Sequence, residues 1–251
     1  MTRPYVAMVD YGTGNVHSLG KALERVGCRT RLTADPAELA GAAGIVLPGV
    51  GAFGPAWRRL EATGLVPWLR ELVASGRPLL GICLGMQLLF QGSREDGFWP
   101  GLGLLPGWVE PFPALGTRPG GAAPGSTGGA VAPANGRLKV PHMGWNRVVA
   151  PPGSRLLAGL GETFYAYFVH SYRVPWPAGG LEPPRPPAAL AGSVHAAGMR
   201  VAVSDYGGPF VAAVEAGPVA GTQFHPEKSG PVGLQILRNF GAMCGACDPG
   251  P

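Results

Sequence analysis

The sequence predicts an α/β fold in which an open, mostly parallel central sheet is flanked by helices and an additional antiparallel β region follows in the second half. Two patterns support this class. In the first part of the chain, short apolar runs alternate with stretches of helical periodicity, which is the order of βαβ units. Beyond residue 99, aromatic and β-branched segments separated by loops replace that alternation.

Three predicted strands of the first half each run into a loop rich in small residues. The strands are the apolar runs at residues 5–9, 44–47 and 78–82, and helical periodicity follows over residues 16–26 and 84–91. Open α/β sheets bind their ligands where the parallel strands end. We therefore expect the three loops to build a site at one edge of the sheet.

The second half predicts an antiparallel region and a closing helix. Aromatic and β-branched residues are frequent over 164–172, 201–206 and 210–224, and a Gly-Pro pair at 217–218 marks a turn within the last segment. A helix is predicted from about Pro231, because large apolar residues then recur at helical spacing.

Gly and Pro are unusually frequent but are concentrated in two segments. The 251 residues include 42 Gly and 28 Pro, yet 46% are hydrophobic and only 14% are charged, which suits a chain that buries a core. Residues 113–136 and 175–187 hold much of the excess and lack periodicity. We expect a single domain over residues 1–246, with flexible surface insertions at these two segments and a tail at 247–251.

Charge, hydropathy and cysteine content exclude several classes of protein. The net charge is +5, but 17 Arg and 3 Lys are scattered without a run of five, so nucleic-acid binding is not expected. No apolar run approaches the roughly 18 residues of a membrane span, and residues 1–4 do not resemble a signal peptide. Four cysteines are too few for a disulfide scaffold, which favours a reducing, cytoplasmic location.

Three of the four cysteines have simple interpretations. Cys28 follows Gly27 at the expected start of a strand and is predicted to lie in the core. Cys244 and Cys247 have the spacing of a redox pair or half a zinc site, but no second pair completes such a site. We therefore interpret them as an incidental terminal feature.

Cys83 lies in the pattern G-x-C-x-G between a strand and a helix, the thiol counterpart of a nucleophile elbow. The sharp turn strains the backbone at the cysteine, and Gly81 and Gly85 leave room for it. The N-terminus of the following helix favours a thiolate. A lone cysteine is more often a small buried hydrophobe, so the pattern alone leaves both interpretations open.

His225 and Glu227 supply the base and the orienting group that a cysteine nucleophile needs. Residues i and i+2 of an extended segment point to the same side, and Pro226 biases His225 away from helical conformation. The strand predicted before them would bring both to the sheet edge of Cys83. The tripeptide alone favours a turn with a solvated glutamate; together with the elbow it predicts a Cys-His-Glu arrangement.

A third loop, P-G-V-G-A-F-G at residues 48–54, has three glycines. Their backbone N–H groups can approach a ligand oxygen closely, as an oxyanion hole requires. A phosphate-binding loop is the weaker interpretation, because no G-K-[ST] ending follows.

Together these motifs resemble the class I, triad-type glutamine amidotransferases and, within them, the glutaminase subunits of imidazole glycerol phosphate synthases. The similar segments span nearly the whole chain in family order. They are D-Y-G-T-G-N at 10–15, the glycine-rich loop at 48–54, G-I-C-L-G-M-Q-L-L-F at 81–90, G-L-G-L-L-P-G at 101–107, K-V-P-H-M-G-W-N at 139–146, Y-F-V-H-S-Y at 167–172 and G-T-Q-F-H-P-E-K-S-G at 221–230.

The resemblance implies a role for each matching residue and no cofactor or metal. Cys83 would be the nucleophile, His225 the acid and base, and Glu227 the residue that orients His225. The oxyanion hole would use N–H groups at Val50, Gly51 and Leu84. The residues implied to hold the glutamine substrate are Gly49, Gln87, Glu95, Ser171 and Tyr172.

The resemblance also implies a protein partner. The predicted domain leaves no room for a unit that accepts ammonia, and the family's partner is a cyclase subunit of (β/α)8-barrel type in a heterodimer. That subunit uses ammonia to form imidazole glycerol phosphate and an aminoimidazole carboxamide ribonucleotide in histidine biosynthesis. Asn15, Met143, Trp145 and Lys228 match interface positions, although Trp145 in the core, Lys228 as a solvated charge and Asn15 as a helix cap are equally compatible with the residues.

Two other functions are compatible with the same fold. A glutaminase that serves another synthase, such as anthranilate synthase, would share the triad. A non-catalytic regulatory homologue would keep the fold without the chemistry, but the presence of all three triad residues disfavours it.

Overall fold

The computed structural model of the chain describes residues 4–113, 138–176 and 198–247. Within these ranges the strands are β1 (Val6–Val9), β2 (Thr30–Thr33), β3 (Gly44–Leu47), β4 (Leu79–Ile82), β5 (Gly92–Ser93), β6 (Trp99–Pro100), β7 (Trp108–Pro111), β8 (His142–Val149), β9 (Thr163–His170), β10 (Tyr172–Arg173), β11 (Arg200–Asp205), β12 (Pro209–Ala216) and β13 (Val219–Thr222). The helices are α1 (Val16–Arg25), α2 (Pro36–Gly41), α3 (Phe53–Ala62), α4 (Leu65–Ala74), α5 (Leu84–Leu89) and α6 (Gly230–Cys244).

Nine strands form one sheet in the order β2-β1-β3-β4-β13-β12-β11-β8-β9. The five neighbouring strands β2, β1, β3, β4 and β13 are parallel. Strands β12, β11, β8 and β9 extend the sheet through antiparallel pairs. A smaller sheet has the order β10-β7-β5-β6. The predicted α/β class with an added antiparallel region is therefore confirmed.

Apolar side chains pack on both faces of the main sheet. Alternate residues of β1 divide between two buried clusters, with Ala7 and Val9 in one and Val6 and Met8 in the other. Helices α2 to α5 contribute to the first cluster, and α1 and α6 to the second. Strands covered on both sides have continuous apolar sequences, which is why the sequence predicts β1, β3 and β4 closely.

Several elements are missing from the prediction. Strand β2 lies at the sheet edge with Arg31 and Leu32 exposed, so its sequence lacks the continuous apolar run of its neighbours. Helices α2, α3 and α4 and strand β8 are likewise not predicted. Ser171 separates β9 from β10, whereas the sequence predicts one strand over residues 164–172.

The four adjacent strands β1, β3, β4 and β13 all end at the same edge of the sheet. The segments that follow them begin at Asp10, Pro48, Cys83 and Gln223. The topology therefore collects the loops that the sequence predicts to form a site.

The predicted insertions lie almost entirely outside the described residues. In the segment 175–187, the described residues Pro175 and Trp176 are both attached to β12: Pro175 forms a bridge with Phe210, and the N–H of Trp176 donates to the carbonyl of Pro209 at 3.1 Å. Among the described residues, no helix combines the length and apolarity that crossing a membrane requires.

Cys28 lies in the core as predicted, but the interpretation of Cys247 as an incidental terminal feature is wrong. A disulfide joins them across 219 residues of sequence, and their backbones form an antiparallel bridge. Gly241 on α6 faces the sulfur atoms, and a Cβ there would collide with both. Cys247 is thus fixed to the domain, whereas the thiols of Cys83 and Cys244 are free.

We predict that the disulfide stabilises the fold. A crosslink that closes so long a loop restricts the unfolded chain, so reduction should lower the free energy of unfolding by about 2–4 kcal/mol. Denaturant unfolding with and without reductant measures the loss, and a Cys28→Ser/Cys247→Ser double variant should not respond to reductant. Thiol titration of the denatured, oxidised protein should find only Cys83 and Cys244; four reactive thiols before reduction would contradict the crosslink.

Candidate active site

Cys83 occupies a strained turn between β4 and α5. Its backbone has φ 54° and ψ −110°, a conformation that side chains rarely adopt. A Cβ on Gly81 would collide with the backbone of Met86, and one on Gly85 would collide with the carbonyl of Leu47. The predicted strained elbow with obligatory glycine neighbours is therefore present, and it brings the start of α5 against the end of β3.

The Cys83 sulfur lies among polar atoms from β9 and from the segment after β13. It is 3.9 Å from the carbonyl oxygen of Val169, and Nε2 of Gln223 donates to it at 3.8 Å. His225 lies close enough to the thiol for Cys83 to raise the pKa of its imidazole. Only 6% of Cys83 is exposed, so a group that reacts with it must enter this polar environment.

His225 is paired with Glu227 on its other side. Nδ1 of His225 is 2.8 Å from Oε1 of Glu227, and both side chains are buried. Burial lowers the pKa of His225, but the hydrogen bonds to Cys83 and Glu227 outweigh this effect and raise its pKa to about 9. The imidazole is therefore largely protonated at neutral pH.

The geometry of this pair differs from the predicted one. His225 is extended, but Pro226–Lys228 forms a 3-10 turn, so Glu227 reaches the imidazole through the turn and not along a strand. The backbone of His225 is held by its N–H bond to the carbonyl of Tyr167 at 3.0 Å and by the hydroxyl of Ser229, which donates to its carbonyl at 2.8 Å.

Asn15 contacts the triad carboxylate instead of capping a helix. Its Nδ2 donates to Oε1 of Glu227 at 2.5 Å, and its side chain makes no capping hydrogen bond to α1. Burial raises the pKa of Glu227, but the hydrogen bonds from His225 and Asn15 lower it overall. Oε2 of Glu227 is buried without a partner among the described residues.

The glycine-rich loop lies directly against the elbow. A Cβ on Gly49 would collide with the N–H of Gly85, and the Tyr11 hydroxyl donates to the carbonyl of Pro48 at 2.6 Å. The N–H of Val50 donates to Oγ1 of Thr13 at 3.2 Å. This N–H must leave Thr13 before it can donate to a substrate oxygen.

Four of the predicted glutamine-binding residues lie close together. Gln87 is buried, and its Nε2 donates to the carbonyl of Tyr172 at 3.0 Å. Oε2 of Glu95 accepts from the N–H of Phe53 at 2.7 Å, while burial raises the pKa of Glu95 overall. Tyr172 feels the charge of Glu95, and Ser171 precedes it in the connection between β9 and β10.

The predicted interface residues differ in exposure. Met143 and Trp145 are 61% and 56% exposed on the outer side of β8, so the core alternative for Trp145 is wrong. The Trp145 ring packs edge-on against Tyr167, whose carbonyl binds the backbone of His225. Lys228 is exposed in the turn that holds Glu227.

Gln223 and Thr13 are site residues that the sequence analysis does not single out. Gln223 is fully buried and connects Gln87 to Cys83, because its Oε1 accepts from Gln87 at 3.0 Å while its Nε2 faces the sulfur. Its position two residues before His225 is the signal that could have identified it, since side chains two apart in a strand share a side. No comparable local signal marks Thr13.

The site and fold define a class of protein, and sequence comparison agrees with it. The family model described as "Glutamine amidotransferase class-I" matches residues 7–244. The chain therefore belongs to the class I glutamine amidotransferase family.

Individual relatives are similar over almost their whole length. The chain is 44% identical to the imidazole glycerol phosphate synthase subunit HisH of Geobacillus kaustophilus, with 94% of this chain and 95% of the relative covered. It is 40% identical to the subunit of the same name from Moorella thermoacetica, with 95% and 94% covered.

Solved structures share the fold at lower sequence identity. A crystal structure titled as a glutamine amidotransferase superposes with a TM-score of 0.62 at 20% identity, covering 95% of this chain and 98% of that chain. The crystal structure of a putative GMP synthase subunit from Thermoplasma acidophilum gives 0.59 at 20% identity, covering 98% and 96%.

We predict that Glu227→Gln shifts the pH dependence of glutamine hydrolysis. The carboxylate helps to raise the pKa of His225 to about 9, so its loss should move the alkaline limb of kcat/KM from near pH 9 toward the ordinary histidine value of 6.5. We also expect kcat to fall about 100-fold, because a neutral amide no longer stabilises and orients the imidazolium as the carboxylate does.

A pH–rate profile of glutamate release measures both effects. The exposed Glu61→Gln variant is the matched control and should keep the profile of the unsubstituted protein. An unchanged alkaline limb in Glu227→Gln would contradict the assigned influence of Glu227 on His225.

Proposed function

We propose that this chain is the glutaminase subunit of an imidazole glycerol phosphate synthase. It hydrolyses glutamine to glutamate and ammonia and passes the ammonia to a cyclase partner of (β/α)8-barrel type. The observation that carries the proposal is the grouping of Cys83, His225 and Glu227 at one sheet edge, where His225 bonds to Glu227 and Cys83 raises the pKa of the imidazole. Its particular pathway is supported by relatives named imidazole glycerol phosphate synthase subunit HisH at 40% to 44% identity.

The reaction begins with the Cys83 thiolate attacking the side-chain amide carbon of glutamine. Protonated His225 gives its proton to the departing nitrogen, the carbon–nitrogen bond breaks, and ammonia leaves a glutamyl thioester. Neutral His225 then takes a proton from water, which attacks the thioester carbon and releases glutamate and the Cys83 sulfur. Glu227 keeps the imidazole oriented in both steps.

The tetrahedral intermediates need donors for their oxyanion, and we assign the N–H groups of Val50, Gly51 and Leu84. That of Leu84 is at the N-terminus of α5, immediately after the nucleophile. That of Val50 is bonded to Thr13. The isolated chain should therefore be nearly idle until the loop releases this N–H.

The amino-acid end of glutamine is assigned to the residues beside Cys83. A zwitterion needs a carboxylate for its ammonium group and N–H or O–H donors for its own carboxylate. Glu95 supplies the negative charge, and Gln87, Ser171, Tyr172 and Gly49 form the surrounding wall of the pocket.

The partner docks on the exposed surface next to the triad. Trp145 and Met143 offer exposed apolar area on β8, and Lys228 offers a positive charge three residues after His225. Trp145 is paired with Tyr167, which bonds the backbone of His225. Asn15 is assigned to this boundary through its bond to Glu227. A sheltered passage between the subunits keeps ammonia unprotonated, since ammonium is a poor nucleophile.

We assign the protein to the cytoplasm, where histidine biosynthesis would take place. The reducing conditions there favour the dithiol form of Cys28 and Cys247, and the crosslink would then form only under oxidising conditions.

We predict that Cys83→Ala abolishes glutaminase activity. Without the sulfur no thioester forms, so glutamate release by the complex with the cyclase should fall at least about 1,000-fold. Cys244→Ala is the matched control, because Cys244 is the other free thiol and lies at the end of α6, at the opposite edge of the sheet. Substantial turnover by Cys83→Ala would overturn the assigned nucleophile.

We predict that Lys228→Glu weakens the complex with the cyclase subunit. Reversal of a charge next to the triad should raise the Kd about tenfold and lower cyclase-dependent glutaminase activity at limiting partner. Calorimetric titration measures the affinity. Lys21→Glu, an exposed reversal within α1, should bind normally; equal affinity for both variants would remove Lys228 from the interface.

A further inference from the structure

A pair of histidines is buried beside the proposed active site. His142 of β8 and His170 of β9 are directly opposite in the antiparallel pair, and Nδ1 of His142 is 2.9 Å from Nε2 of His170. Both are almost completely buried. Neither takes part in the proposed reaction, although His170 is near enough to His225 to feel its charge.

The hydrogen bonds around this pair fix the position of each proton. Nδ1 of His170 is 2.8 Å from the carbonyl oxygen of Tyr172, which can only accept. Burial lowers the pKa of His142 to about 4 and that of His170 to about 3, so both rings are neutral near pH 7. Nε2 of His170 therefore accepts from Nδ1 of His142, and Nε2 of His142 accepts from the Asn146 amide at 3.3 Å.

The rings and the amide are held in place from several sides. His142 is stacked between Phe168 and Tyr206, with ring centroids 4.9 and 4.0 Å away. The Asn146 amide also donates to the carbonyl of Asp205 at 2.9 Å, and its oxygen accepts from the N–H of Arg147 at 2.8 Å. The donors therefore all run in one direction, from Asn146 to Tyr172.

The series of hydrogen bonds from Asn146 continues beyond the Tyr172 carbonyl. The same carbonyl oxygen accepts from Nε2 of Gln87 at 3.0 Å, and Gln87 also donates to Gln223 at 3.0 Å. Gln223 faces the Cys83 sulfur at 3.8 Å. The Tyr172 carbonyl thus accepts both from the histidine pair and from Gln87, which is linked through Gln223 to Cys83.

We propose that His142 and His170 are positioning residues for the glutamine pocket: their neutral rings fix the Tyr172 carbonyl and, through it, the Ser171–Tyr172 backbone and the Gln87 amide. The inference rests on the proposed function, which assigns these groups to glutamine binding. It predicts that substrate affinity depends on the donor at Nδ1 of His170. If the pair only filled the core, substrate affinity would depend on the volume of the side chains and not on the donor that they offer.

Two substitutions of His170 separate these roles, because each amide copies one ring nitrogen. His170→Asn places an amide donor near the position of Nδ1 and can still bind the Tyr172 carbonyl. His170→Gln places its amide near the position of Nε2 and leaves that carbonyl without a donor from residue 170, so that only Gln87 still donates to it. Both remove the ring and its packing against Phe112, Phe168 and Phe210.

The experiment measures glutamine binding by calorimetry to the cyclase complex that carries Cys83→Ala, so that no turnover interferes. We expect His170→Gln to raise the Kd of glutamine about tenfold and His170→Asn to change it less than about threefold. With Cys83 intact, His170→Gln should raise KM by the same factor and change kcat less than about threefold. Thermal unfolding of each complex controls for stability.

Each outcome decides between the alternatives. Equal Kd values for the two variants, or a loss confined to kcat, would overturn the positioning role while leaving the proposed function in place. Failure of the Cys83→Ala parent complex to bind glutamine, together with no glutamate release by the unsubstituted complex, would overturn the proposed function itself. If a His170 variant does not fold, His142→Asn and His142→Gln give the same test, and the donor-retaining Asn variant is again expected to bind more tightly.

Discussion

The close approach of α5 to the end of β3 is the contact on which the rest of the site depends. Any side chain on Gly85 would overlap the carbonyl of Leu47, so the helix begins at this distance only because that position has no Cβ. The approach obliges Cys83 to adopt its positive φ. It also lets Gly49 pack on the first turn of the helix, so that one steric condition aligns the nucleophile and the glycine-rich loop.

The two histidine sites show how two segments of one fold can hold the same side chain in opposite protonation states. His225 faces a carboxylate and a thiol, and these favour the imidazolium in spite of burial. His142 and His170 face aromatic rings, an amide and a carbonyl, and burial prevails. Under the proposed function, the charged imidazole transfers protons and the neutral pair fixes the Tyr172 carbonyl.

The sequence predicts what local pattern encodes. The apolar strands, the elbow at Cys83 and the pairing of His225 with Glu227 follow from residues adjacent in the chain. The sequence does not predict contacts between distant segments, such as that of Asn15 with Glu227 across 212 residues. It also does not predict strand β2, which is exposed and lacks an apolar pattern. The Thr13 hydroxyl acts on Val50 only because β1 and β3 are neighbours in the sheet.

The bond between Cys28 and Cys247 also determines where the polypeptide leaves the domain. Cys28 precedes β2, so it lies at the amino ends of the parallel strands, opposite the loops that surround Cys83. A tag or fused protein attached after Cys247 would project from that far rim. Immobilisation through such an extension would leave the catalytic rim open to solvent and to a docking protein.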